Sequence, residues 1–300
     1  MLTLNTNPPW LKKRLLAGPQ SVKTGEILSS LGLNTVCAES ACPNLNECFS
    51  GGQATFLILG RTCTRRCLFC SVEKGLPQTP DESEPYRIRD AVRRLNLGHV
   101  VITSVTRDDL NDGGAGQFVK VIDAIRALRQ EITIEALVPD FRGNPDSIDM
   151  VLSAGADVFS HNIETIGSLY PSVRQGADYK KSLGILQRAK SISKNQVTKS
   201  GIMVGLGENE KEVLETITDI AWCGCDILTI GQYLRPGAAN LPVRRYVLPE
   251  EFVRYREFAI GLGFKYAASG PFVRSSYKAK EMYSEFRLRL TVNGCATRNV

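Results

Sequence analysis

The sequence predicts an α/β protein, a partial six-unit (β/α) barrel with extensions at both ends. Three observations point there. From Thr55 onward, short apolar runs bounded by Gly, Pro or charged residues alternate with stretches of helical period. That alternation yields about six βα units, and hence a parallel sheet with right-handed crossovers. Polar residues also follow nearly every apolar run, at the strand end where barrel enzymes carry their chemistry. A doubly wound sheet is the alternative, and the polar rim favours the barrel.

In chain order, residues 1–50 read as an N-terminal extension, 51–263 as the barrel and 264–300 as a C-terminal extension. The entry segment holds one short helix over Lys23–Leu31, broken by Gly32. The strands are Thr55–Leu59, His99–Val105, Thr133–Val138, Asp157–Ile163, Ser200–Gly205 and Asp226–Gln232. Between them, Gly116–Arg129 puts Phe118, Ile122 and Ile125 on one helical face. Glu210–Trp222 does the same with Val213, Ile217 and Ala221.

A chain of 300 residues with 43% hydrophobic and 23% charged residues has ample material for a core and does not read as disordered. The net charge of +6 is spread out, with no basic stripe interleaved with aromatics, which excludes a nucleic-acid partner from the expectations. No apolar run approaches the roughly 20 residues of a membrane helix. MLTLNTNPPWLKKRLLAG lacks the sustained apolar stretch of a secretory signal. Six of the nine cysteines fall in two tight groups, a metal-binding pattern of reducing compartments. The expected location is the cytoplasm.

The chemistry centres on CTRRCLFC, with Cys63, Cys67 and Cys70 spaced CxxxCxxC just after the first strand. Three thiolates there suit a four-iron cubane with one iron left open. A zinc knot lacking its fourth ligand and a CxxC redox pair with a stray neighbour are the alternatives. Another triad, the first in chain order, is Cys37, Cys42 and Cys48; it again lacks an obvious fourth cysteine or histidine, and a second cluster explains it better than packing does. The rim adds Asp108, Asp109, Gly113 and Gly114, then Asp140, then His161, Asn162 and Glu164, then Gly201–Glu208, then Gly231, Gln232 and Tyr233. Any one of these reads as a cap or a solvated charge. Their shared placement on one rim gives the functional reading its weight.

The CxxxCxxC spacing, with Phe69 between the last two thiols, resembles the radical S-adenosylmethionine (SAM) enzymes. VCAESACPNLNEC, ILGRTCTRRCLFC, VITSVTRDDLNDGGA, NIET, TKSGIMVGLGE, LTIGQYL and GPFVRSSYKA, in that order, resemble the lipoyl synthase family over about residues 8–280. The resemblance implies sulfur insertion at carbons six and eight of an octanoyl chain amide-linked to a lysine of a carrier domain. It implies two 4Fe-4S clusters and SAM: a SAM-cleaving cluster on Cys63, Cys67 and Cys70, and an auxiliary, sulfur-donating cluster on Cys37, Cys42, Cys48 and Ser276 of the RSSY motif. Thr106, Asp108 and Asp109 then stand at the methionine amino group, Asn162 and Glu164 at the ribose, and Gly205 and Glu208 on the adenine side. Implied partners are octanoylated lipoyl carrier domains, those of 2-oxoacid dehydrogenase subunits or the glycine-cleavage carrier protein, and an electron donor such as ferredoxin or flavodoxin. Neither membrane nor nucleic acid is among them.

Departures from the family pattern are Phe49 for a common Trp, Ser160 for Asn and Gln175 for Pro, none a cluster ligand. Cys223, Cys225 and Cys295 match no ligand position and read as packing or surface thiols. A biotin-synthase-like sulfur inserter would share the barrel and Cys63–Cys70 but not the first triad with RSSY. A non-catalytic iron–sulfur carrier would leave the open iron and the polar rim unexplained.

Overall fold

The computed structural model describes residues 8–13 and 18–296, with backbone alone for 291–296. Most of the segment read for a signal sequence and the Cys295 side chain lie outside the described residues.

The entry segment carries α1 (Pro19–Ser30), α2 (Val36–Glu39) and α3 (Leu45–Ser50). Strand β1 (Thr55–Ile58) is followed by a two-residue pair, β2 (Thr62–Cys63) and β3 (Glu73–Lys74), that frames the cysteine loop. The barrel continues as α4 (Glu84–Leu95), β4 (His99–Ser104), α5 (Ala115–Arg126), β5 (Thr133–Leu137), α6 (Pro145–Ser153) and β6 (Val158–Ser160). Then come α7 (Tyr170–Val173), α8 (Tyr179–Ile192), β7 (Val197–Val204), α9 (Glu210–Trp222), β8 (Ile227–Gln232), α10 (Pro249–Gly261), β9 (Tyr266–Gly270) and α11 (Ala279–Ala296).

Among the described residues, seven strands form one sheet in the order β1-β4-β5-β6-β7-β8-β9, every pairing parallel. Sequential order with helical crossovers is the winding of a partial barrel. Burial explains the apolar runs: β1 and β8 are buried at every position, as strands covered on both faces must be. Phe118, Ile122, Val213 and Ile217 are fully buried on the inner faces of α5 and α9. α9 begins at a capping box in which the Asn209 and Glu212 side chains each take the other's backbone N–H.

Beyond the six expected strands the sheet carries a seventh, β9, whose small residues (YAASG) give little periodic signal. The chain after it turns back as α11, which packs on β9 and β4 and buries Met282 and Phe286. Tyr283 of α11 sets its ring 6.1 Å from that of His99, the first residue of β4. The entry segment covers the other sheet edge: Leu57 N–H donates to Asn34 O at 2.9 Å, and Thr35 bridges Phe56. Both edge strands are thereby shielded from pairing with other chains.

Candidate active site

Both cysteine triads face one cavity of about 550 Å³, lined also by Thr106, Asn162, Glu164, Arg174, Arg274 and Ser276. The second triad reaches it because the chain reverses sharply after β1. Leu59 and Gly60 both take positive φ, 68° and 87°. The Leu59 amide donates to Glu84 at 3.0 Å, and Gln117 holds the same carboxylate at 2.9 Å. Cys63 Sγ then accepts the Thr106 and Arg65 amides at 3.3 and 3.4 Å. Thr64 donates its hydroxyl to Thr106 O at 2.9 Å and accepts from the Asp108 amide at 3.1 Å. On the far side of the loop Leu68 N–H meets Val173 O at 2.9 Å. Asn240 donates to the carbonyls of Leu68 and Cys70 at 3.2 and 3.0 Å.

The first triad sits on the entry segment. Cys37 lies on α2, whose N-cap Thr35 accepts the Ala38 amide at 3.3 Å, and Cys48 lies on α3. Cys42 stands between them, just after Ala41 at φ 49°. Ser71 links the two triads by donating to Glu39 O at 2.7 Å.

Burial first, with the neighbouring thiols of the triad adding to it, pushes the thiols up, Cys37 to about 11 against hydrogen bonding from Thr55 and Cys48 to about 12. Cys67 rises to about 11 and Cys70 to about 12 for the same first reason, with the other thiols of that loop contributing. Such thiols become thiolates when a cationic centre takes them, with release of protons. Among the described residues no three His, Cys, Asp or Glu side chains converge on the position of a single ion. Three thiols in each triad are a donor set that suits a four-iron group with its remaining position left to another ligand.

Of the residues expected at SAM, Thr106, Asn162 and Glu164 line this cavity. Asp108 is committed to Arg65, whose Nη2 lies 2.9 Å from its Oδ1 and 3.1 Å from Asp140. Arg65 also donates to Gly176 O, and its guanidinium is held well above its ordinary pKa against the cost of burial. Asp109 pairs with Arg107 at 2.8 Å and is held below its ordinary value by it. With Phe141 and Arg142, these two aspartates line a separate hollow of about 190 Å³.

Glu208 is buried and takes three successive amides, of Gly205, Leu206 and Gly207, at 2.5, 2.9 and 3.1 Å. It shapes the turn after β7. Gly205 stands there at φ 101°, and a Cβ would meet Gln232 Nε2 at 2.1 Å, so no other residue fits. His161 is fully buried with Nδ1 2.9 Å from Val138 O. Burial, then Arg174, lower its pKa to about 4, so it is neutral.

Two contributors escaped the sequence reading. Arg174 lies in the loop after α7, donates to Asn162 O at 3.0 Å and Tyr170 Oη at 2.9 Å, and lowers the pKa of Cys67 against burial. A lone arginine in YPSVRQGA carries no local sign of this. The other is not the RSSY motif itself, which the sequence flags, but its course: residues 271–277 form a strap over the cavity. A Cβ on Gly231 of β8 would lie 2.1 Å from Val273 O, so glycine is what lets the strap descend onto the sheet. Ser275 donates to Asn162 Oδ1 at 2.9 Å and Tyr277 to Glu47 at 2.7 Å. The Ser276 hydroxyl also lines the cavity and takes no hydrogen bond among the described residues. Cys223 and Cys225 are buried away from the cavity, packed among apolar side chains.

Comparison with known proteins agrees with this architecture. A family model described as the radical SAM superfamily matches residues 57–220. A lipoyl synthase of Chlorobium limicola is 53% identical over 91% of this chain and 94% of its own. One from Caldicellulosiruptor saccharolyticus is 51% identical over 91% and 96%. Among solved structures, Streptococcus suis SuiB bound to its precursor peptide SuiA superposes with TM-score 0.55 at 11% identity, over 90% of this chain and 58% of that one. HydG, a maturase of the [FeFe]-hydrogenase, gives 0.52 at 15% identity, over 83% and 68%. At these identities the two structures speak to the fold alone.

Proposed function

The chain belongs to the lipoyl synthase family of the radical SAM superfamily, and from that premise we propose that its two cysteine triads hold two four-iron clusters with divided labour. Membership makes it a radical SAM enzyme, using SAM and a 4Fe-4S cluster. In our reading Cys63, Cys67 and Cys70 hold that cluster, while Cys37, Cys42, Cys48 and Ser276 hold an auxiliary one. When bound, the cluster on Cys63, Cys67 and Cys70 would supply the electron that splits SAM into methionine and a deoxyadenosyl radical, and the auxiliary cluster would supply sulfide. The observation that carries the reading is that both triads open onto one cavity.

The chain's own residues create the conditions for this chemistry. Carbons six and eight of an octanoyl chain carry hydrogens that no side-chain acid or base removes, so the protein's task is placement and exclusion of water. Apolar walls from Leu57, Val101, Leu137, Ile202 and Met203 suit an aliphatic chain. The amides of Thr106 and Arg65 fix Cys63, and Arg174 places positive charge beside Cys67. Asn162 and Glu164 offer an amide and a carboxyl to the ribose. Burial raises the pKa of Glu164, with Arg174 and Asn162 opposing. Asp108, Asp109, Gly205 and Glu208 then act on SAM indirectly, by holding the two loops that bound its site.

The substrate is an octanoyl-lysine on a lipoyl carrier domain, from a 2-oxoacid dehydrogenase subunit or the glycine-cleavage carrier protein. A ferredoxin or flavodoxin delivers the electrons. No helix of the described residues is long and apolar enough to cross a membrane, and we place the reaction in the cytoplasm. Mass spectrometry of an octanoyl-lysine peptide tests this, after anaerobic incubation with dithionite, SAM and reconstituted protein. Gain of two sulfurs is expected; deoxyadenosine without any sulfur gain would overturn the assignment of the first triad as donor.

A further inference from the structure

The strap lines the cavity that both triads share. Ser276 is among the lining residues, while its neighbour Ser275 donates to Asn162 Oδ1 at 2.9 Å, across 113 residues of sequence. A hydroxyl proton is accepted only by the oxygen end of an amide. Asn162 turns its nitrogen to Glu164, donating to Oε1 at 3.1 Å. Glu164 is itself pinned to β7: its amide donates to Gly201 O at 2.9 Å and its carbonyl accepts from Met203 at 2.8 Å. That pinning holds it at φ 70°, the left-handed region, which a residue with a Cβ adopts only under such constraint. Ser275, Asn162 and Glu164 all line the cavity.

A serine hydroxyl both donates and accepts, so it is the Glu164 carboxylate, an acceptor only, that sets which way the Asn162 amide faces; Ser275 then ties the oxygen end of that amide to the strap. A fixed amide beside a fixed carboxyl presents a donor–acceptor pattern matched to neighbouring ribose hydroxyls, each of which both donates and accepts.

We propose that Ser275 is a positioning residue for the nucleoside of SAM, acting through Asn162 to orient the amide and carboxyl that meet the ribose. The inference rests on the reading of Asn162 and Glu164 as nucleoside contacts given above. It gives the two serines of RSSY opposite duties, Ser276 towards the auxiliary centre and Ser275 towards SAM. Because they are adjacent, displacement of the strap at one centre perturbs the other, and any coupling of the two binding equilibria is reciprocal.

The test is equilibrium binding of SAM to the reconstituted, unreduced protein, where no cleavage occurs, at matched iron content. Ser275→Ala should bind about five- to tenfold more weakly, the effect of one lost hydrogen bond and a freed amide. Its KM for SAM should rise more than its kcat falls. Ser275→Thr keeps the hydroxyl and should bind like wild type, and Asn162→Ala should be at least as weak as Ser275→Ala. If Asn162→Ala binds weakly but Ser275→Ala like wild type, the role given to Ser275 is wrong while the nucleoside reading stands. Wild-type binding by both variants overturns that reading, and this inference with it. A Ser275→Thr variant as weak as Ser275→Ala shows that the hydroxyl is not the cause, and also overturns the proposal.

Discussion

Tyr277 and Glu47, 230 residues apart, meet in a 2.7 Å hydrogen bond in which the phenol donates. Lys13 pairs with the same carboxylate at 2.6 Å and lies over the rings of Phe272 and Tyr277, 5.3 and 5.2 Å from their centroids. Asn44, wholly buried, donates to Phe272 O at 2.7 Å. Asn44 and Glu47 stand between Cys42 and Cys48, so this latch fastens the strap directly over the first triad.

Opening the latch should therefore cost metal retention more than fold stability. Its ion pair is solvent-accessible, so Tyr277→Phe should lower unfolding free energy by no more than about 1 kcal/mol. Iron held at the first triad should nonetheless fall, and more so with Lys13→Ala. Lys13 first, then Tyr277, keep the Glu47 carboxyl below its ordinary value of 4.5. A depressed carboxyl contributes above its unfolded pKa and loses that contribution as pH falls through the lower folded one. Iron content after gel filtration should thus be level at neutral pH and drop only in the acid range. Full retention by Lys13→Ala would show that the latch does not serve the triad.

A buried ion pair inside the barrel predicts a different acid response. Lys199 Nζ and Glu135 Oε2 stand 2.9 Å apart, each side chain almost fully enclosed, with His99 Nε2 at 3.9 Å. Burial opposes ionisation of Glu135, yet Lys199 and His99 outweigh it and hold its pKa low. Glu135→Gln leaves Lys199 enclosed without a counter-charge and should destabilise by about 3–5 kcal/mol. Glu135→Leu with Lys199→Met should recover much of that loss, because no charge remains buried. Since the folded pKa is depressed, the pair contributes above the ordinary carboxylate range and the contribution vanishes as pH falls through the folded value. Denaturant melts of the three proteins against pH provide the check; a double variant no better than Glu135→Gln would exclude uncompensated charge as the cause.

How much of this was legible beforehand depends on the range of the interaction. Local spacing encodes the strands of Val, Ile and Leu, the inner face of α9 and the clustering of thiols, and these read correctly from the sequence. A carboxylate after a strand looks the same whether a ligand or an arginine awaits it. Asp108 meets Arg65 across 43 residues, and Asp109 meets Arg107 two residues away. Glu208 serves three amides of its own turn. The strand β9 and the meeting of Tyr277 with Glu47 depend on tertiary packing alone, and no periodicity announces them.

The two triads should separate cleanly on mutation. Reconstituted wild type is expected to hold about eight irons, two cubanes of four. Cys67→Ala should abolish deoxyadenosine formation, because Cys67 is one of the three ligands proposed for the SAM-cleaving cluster. Cys42→Ala should retain deoxyadenosine formation, lose about four irons and yield no thiolated peptide. Sulfur insertion by Cys42→Ala at the wild-type level would remove the first triad from the donor role.

Ser276 is the sharpest case. Its turn is already closed by backbone, Tyr277 N–H to Arg274 O at 3.1 Å, so the side chain is not needed as a cap. Ser275 is engaged with Asn162, which leaves Ser276 as the serine of the pair with a hydroxyl free to face the triad. Arg274, buried and pulled below its ordinary pKa by that burial, feels Cys42 as its acidic neighbour and supplies positive charge there. An oxygen ligand is a poorer match to iron than a thiolate, and a weak fourth ligand suits the sulfur-donor role proposed for this centre. Ser276→Ala should then cleave SAM but lose sulfur insertion, most severely the second. Ser276→Cys should hold iron at least as firmly as wild type while inserting sulfur more slowly, because the stronger ligand resists release. Iron content and product mass, measured on both variants, decide the matter. Full lipoyl formation by Ser276→Ala rules the ligand role out, and a Ser276→Cys protein that holds iron and turns over faster than wild type would refute the argument from weak ligation.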